Sequence, residues 1–163
     1  MKTKLILILL TLSIFNFAQK AEKTVTSTMQ TFSRLDYTSY FEVTREMFKM
    51  LSESNEASTE FKEYIGKLHT LKLVQATGES RQAHGIQLYQ AFLEKTDLND
   101  YSRLMTKKEG DSNLSFYKKT SKSENEFLLV STDMIIYITG TIDLKSIGEF
   151  EQIMEIAGSA FDF

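Results

Sequence analysis

Hydrophobic and polar positions along the chain change their period several times, and those changes define the expected elements. Leu5 to Phe17 is an apolar run broken only by Thr11, Ser13 and Asn16. Residues 19–35, QKAEKTVTSTMQTFSRL, are polar and rich in Thr and Ser, with weak periodicity, and read as a flexible polar leader. From Asp36 onward, Tyr40, Val43, Met47, Met50 and Leu51 recur at spacings of three and four, which predicts one face of an amphipathic helix. Within it, Met47, Phe48 and Met50 are expected to pack into the core, although such residues can also line a soft binding groove. Thr59 to Ile65 reads as a second short helix. Leu71, Leu73 and Val74 mark a first strand, and Glu79 to Lys95 returns to helical spacing through Ile86, Tyr89 and Leu93, with Leu88 and Phe92 beside them.

The second half alternates in the manner of strands. Tyr101 to Lys107 and Leu114 to Lys119 flank Glu109-Gly110-Asp111-Ser112-Asn113, a hairpin turn in which Gly110 and Asn113 can take positive φ. Glu126 to Ser131 and Met134 to Ile142 are the most apolar segments after residue 18 and are expected to be central strands. Thr132-Asp133 supplies a tight reversal between them, and Gly140 signals a bulge or a close backbone approach. Asp143 or Ser146 is expected to cap a closing helix, with Ser146-Ile147-Gly148-Glu149 in capping-box spacing, and that helix would bury Ile147, Phe150, Met154 and Ala157. The expected architecture is α+β in two layers: a mostly antiparallel five-strand sheet with helices packed on one face.

The opening residues carry a second message. Lys2 and Lys4 precede the apolar run, and small Ala18 stands before Gln19. Positive charge, apolar stretch and small residue, in that order, predict a cleavable signal peptide over residues 1–18. The run is shorter than the about 20 apolar residues that a spanning helix needs. An exported chain, periplasmic or secreted, with a leader over 19–35 and one domain over 36–163, is therefore expected.

Composition narrows what such a chain could do. The 163 residues contain no Cys, so neither a disulfide nor a lipidated cysteine is available, and no Pro, which argues against stiff linkers. Formal net charge is -3, and loss of Lys2 and Lys4 leaves 17 basic residues against 22 acidic ones. That balance suits polyanions poorly, so no nucleic-acid partner is expected. Lys107, Lys108, Lys118, Lys119 and Lys122 are a local exception. They read either as solvent-face lysines that keep strand edges apart or as an anion or lipid-headgroup patch.

Candidate chemistry is sparse. His69 and His84 are the two histidines, and neither lies in a metal-binding spacing, so no metal site and no cofactor is expected. His84 reads as a surface or helix-packing residue. No nucleophile elbow surrounds a serine. Asp97 with Asp100, and Asp133 with Asp143, could pair as acid and base, but turn positions favour solvated carboxylates. No catalytic residue is assigned.

Phe127-Leu128-Leu129-Val130-Ser131, followed by Ile135 to Leu144 and the closing helix, resembles the exported bacterial family of the domain of unknown function 4252. Tyr40-Phe41-Glu42-Val43, Met47-Phe48 and Leu71-Lys72-Leu73 extend the resemblance over roughly residues 36–158. It implies a small envelope domain without a cofactor and points toward envelope signalling or stress. Three functions follow as expectations. One is a non-catalytic interaction module with an envelope or extracellular protein partner. Another is a small-molecule or lipid carrier with a pocket lined by Phe41, Met47, Phe92 and Ile136. The third is a carboxylate-based hydrolase.

Overall fold

A computed structural model describes residues 23–53 and 59–142. Residues 1–18, expected as a signal peptide, together with Asp143 and the expected closing helix, lie outside the described residues. The elements are α1 (Val25–Phe32), β1 (Thr38–Val43), α2 (Arg45–Glu53), α3 (Thr59–Ile65), β2 (Leu68–Ala76), α4 (Arg81–Lys95), β3 (Ser102–Glu109), β4 (Ser112–Thr120), β5 (Asn125–Ser131) and β6 (Met134–Gly140). The six strands form one antiparallel sheet in the order β1-β2-β6-β5-β4-β3. The chain leaves β2 through α4, β3 to β6 run as a meander, and β6 closes beside β2.

The α+β class holds, with six strands where five were expected. The added strand is β1, which replaces the first half of the helix expected from Asp36. Thr-Ser-Tyr-Phe-Glu-Val alternates as well as it spaces helically, and pairing decides between the two. Tyr40 lies opposite Val74, Phe41 opposite Leu73 and Val43 opposite Leu71. β-Branched and aromatic side chains suit that pleated surface. The helix starts only at Arg45, and of its apolar residues Phe48 alone is fully buried. Met47 and Met50 are 45% and 72% exposed, so they are not core residues.

The expected flexible leader contains a folded helix. Val25, Thr28, Met29 and Phe32 follow the three-and-four spacing of a buried helical stripe. Thr24 caps it by accepting the Ser27 N–H at 3.1 Å. Phe32 meets Phe92 of α4 edge to face, with ring centroids 6.1 Å apart. The stripe was hidden because Thr and Ser have poor helix propensity, which tertiary contact overrides here.

Helices lie on both faces of the sheet, not one. Alternation along the central strands sends Leu71, Leu73, Phe127, Leu129, Ile136 and Ile138 to one side, where Phe48 of α2 and Ile65 of α3 join them. Val74, Ala76, Leu128, Val130, Ile135 and Tyr137 go to the other, where α1 and α4 pack through Met29, Phe32, Leu88 and Phe92. Near-continuous apolar sequences in β5 and β6 are what two buried faces require. The buried line of α4 is Gly85, Leu88 and Phe92, one residue off the expected Ile86, Tyr89 and Leu93.

Two glycines permit close approaches. A Cβ on Gly140 would sit 2.2 Å from the Lys67 carbonyl oxygen, opposite a register shift between Leu68 and Thr70. A Cβ on Gly85 would sit 1.9 Å from the carbonyl oxygen of Thr132, so α4 rests directly on the β5–β6 turn.

Candidate functional site

The meander brings a polar cluster to the sheet face that carries α1 and α4. Glu126 of β5 lies opposite Thr139 of β6 and Lys119 of β4, and Tyr137 stands one step along β6 on the same face. Tyr101, just before β3, folds over them. The hydroxyls of Tyr101 and Tyr137 both donate to Glu126 Oε2, the second at 2.8 Å. Lys119 Nζ reaches Glu126 Oε1 at 3.5 Å and Asp100 Oδ2 at 3.7 Å, and lies 5.5 Å from the centre of the Tyr101 ring. Both oxygens of Glu126 therefore have partners, and the carboxylate is largely sheltered from water.

Burial, reinforced by the hydrogen bond to Glu126, pushes both phenols well above the usual tyrosine range. They stay protonated and act as donors. Glu124, two residues before Glu126 on β5, adds negative charge near Tyr137. A separate group on β1 repeats the motif. Tyr40 donates to Glu42, whose other oxygen meets Lys72 at 3.3 Å, and that tyrosine hydrogen bond is the main cause holding the Glu42 carboxyl below its ordinary value.

The cluster floors a cleft of about 420 Å³, walled by Lys23 to Thr26 at the start of α1 and by Asp97, Asp100 and Tyr101 after α4. The Asp97 N–H donates to the Lys23 carbonyl at 2.7 Å and ties these two walls together. Asp97 and Asp100, a pair proposed from spacing, thus reach one cleft. Asp97 Oδ1 accepts the Asn99 N–H at 3.0 Å, and Asp100 is 81% exposed beside Lys119, so both carboxylates sit in the turn after α4 with partners of their own.

The remaining candidates do not converge. Asp133 lies at the far end of α4 in a shallower hollow with Arg81 and Asp111, and Asp143 is outside the described residues. His69 Nδ1 pairs with Glu124 Oε2 at 3.0 Å, joining the start of β2 to the turn before β5. His84 packs within the helix layer, its ring stacked on Tyr37 with centroids 4.3 Å apart. No group of three or more metal-binding side chains occurs among the described residues.

The lysines separate as well. Lys107 pairs with Glu109 at 2.9 Å, Lys118 lies 5.5 Å from the Phe127 ring centre on one face, and Lys119 is drawn into the cleft on the other. The pocket suggested for a carrier is not assembled. Phe41 and Ile136 belong to one face of the sheet and Phe92 to the opposite one, while Met47 is exposed. Sequence reasoning missed Tyr101, Glu126 and Tyr137. Their signal was a carboxylate at the start of an apolar strand and a tyrosine inside an isoleucine run.

Residues 32–150 match the family described as "Domain of unknown function (DUF4252)". The chain belongs to this family. The matched span takes in all six strands, so the DUF4252 region includes the sheet, α2 to α4 and the whole Tyr101–Glu126–Tyr137 cluster. Most of α1 precedes it, although α1 supplies one wall of the cleft. No curated protein and no solved structure matches the chain. Among the described residues no helix is long and apolar enough to cross a membrane.

Proposed function

We propose that this DUF4252 protein is an exported, non-catalytic interaction module of the periplasm or cell surface, acting in envelope signalling or stress through a protein partner. The observation that carries the reading is the internal neutralisation of the cleft. Glu126, its best-placed carboxylate, is held by two phenols and a lysine, which leaves no free base or nucleophile at that point. A general base needs an open lone pair facing substrate. With both faces of the central strands buried under helices and side chains, recognition falls to the outer surface and the sheet edges.

Export rests on the charged, apolar and small-residue order of residues 1–18. Fractionation of the host and N-terminal sequencing test it, with Gln19 as the expected first residue. Crosslinking of the tagged protein in intact envelopes tests the module reading. A defined heteromeric band of fixed stoichiometry is expected. A protein that remains without a partner under those conditions overturns the proposal.

A further inference from the structure

The outer edge of β3 differs from the rest of the sheet. β3 ends the strand order, so one of its hydrogen-bonding sides faces β4 and the other faces no strand among the described residues. All its residues except Met105 are exposed, and Leu104, at the register shift between Arg103 and Met105, is 50% exposed. The strand carries Arg103, Lys107 and Lys108 against Glu109 alone, in a chain of net charge -3. Lys107 and Glu109 are paired in open solvent, whereas Arg103 and Lys108 have no acidic partner among the described residues. The opposite edge, β1, is different in kind. It has no cation, its Glu42 is held by Tyr40 and Lys72, and Phe41 and Val43 are turned into the core.

We propose that the open edge of β3 is the docking strip for an acidic, extended segment of a partner protein, which adds to the sheet beside it. This rests on the interaction-module reading and names the surface and the partner's chemistry. Strand addition supplies main-chain hydrogen bonds, and alternate side chains supply selectivity. Charge selects the occupant. Two copies of this chain would bring the same three cations together and repel, which is how edge lysines guard against self-pairing. An acidic strand meets those cations as cross-strand partners, where opposite charges attract.

The test uses the mature protein and synthetic eight-residue peptides that alternate Glu with Val, or Lys with Val, followed by fluorescence anisotropy. The acidic peptide is expected to bind saturably and to weaken as salt rises. The Lys peptide is expected not to bind, and an acidic peptide N-methylated on alternate residues is expected to lose binding in one of its two registers. Arg103→Glu with Lys108→Glu, both at exposed positions, should weaken the acidic peptide about tenfold or more.

Equal binding of a fully N-methylated acidic peptide would overturn strand addition. So would a β3-dependent homodimer in sedimentation, or binding to phosphatidylglycerol vesicles with none to the peptide. The double variant also separates the two readings in envelope crosslinking. If it retains the wild-type partner band, the β3 inference fails and the module reading stands. If the wild type yields no partner band, the module reading fails irrespective of the peptide result.

Discussion

Glu126 shows how much one residue organises. Its carboxylate sits between two phenols and a lysine, so deleting it strands both phenols and leaves Lys119 with Asp100 alone as an acidic partner. Buried donors left unpaired cost about 1–3 kcal/mol, and Glu126→Ala should lower unfolding free energy in urea by that order. Tyr137→Phe keeps the ring and leaves Glu126 with Tyr101 and Lys119, so a loss of about 1 kcal/mol is expected. A cost for Tyr137→Phe equal to that of Glu126→Ala would show that the phenol, not the shared carboxylate, is the centre of the network. The pH dependence has a definite sign. Burial and Glu126 raise both folded phenol values above the unfolded one of about 10. Their stabilising contribution is therefore complete below about pH 10 and lost as pH rises beyond it. Phenolate absorbance should show Tyr101 and Tyr137 ionising only with alkaline unfolding, and replacement of either by Phe should remove that residue's share of the late step.

At the scale of elements, α1 and α4 form one layer whose contacts are few and specific. Met29 is fully buried, and its removal leaves a cavity between α1, α4 and the sheet. Met29→Ala should cost about 2–5 kcal/mol, the range for emptying a core site. Limited proteolysis should then cut first near residues 23–35. If residues 19–35 were a mere tether, the same substitution would leave stability unchanged. Gly85→Ala sets two effects against each other. Alanine gains up to about 1 kcal/mol of helix propensity. Its Cβ would lie 1.9 Å from the Thr132 carbonyl oxygen, and relief requires α4 to move off the β5–β6 turn. Overpacking of that kind costs about 1–3 kcal/mol, so a lower Tm is expected.

Over the whole molecule, protection should follow the strand order. β2, β6 and β5 have neighbours on both sides and core on both faces, whereas β3 has one neighbour and exposed side chains. Native-state hydrogen exchange is expected to be slowest in β6 and β5 and fastest, among strands, in β3. An acidic peptide bound at the edge should slow β3 selectively. Uniform exchange across the sheet would contradict the placement of β3 at an open edge.

Local pattern alone determined the meander. Alternation, the turn residues Gly110 and Thr132-Asp133, and the apolar runs of β5 and β6 specify β3 to β6 because neighbouring strands need only short-range pairing. The helical character of α4, though not the face it buries, the close approach at Gly140 and the family resemblance were legible for the same reason. Three features depended on distant partners. Thr38–Val43 satisfies two periods, and only the ladder to β2 makes it a strand. Val25–Phe32 lacks intrinsic helix propensity, and only Phe92 and the sheet give its apolar stripe somewhere to go. The cleft draws Tyr101, Lys119, Glu126 and Tyr137 from four separate stretches of chain, and no spacing rule relates residues that meet across a sheet. Composition set the candidates, and long-range register decided which of them would touch.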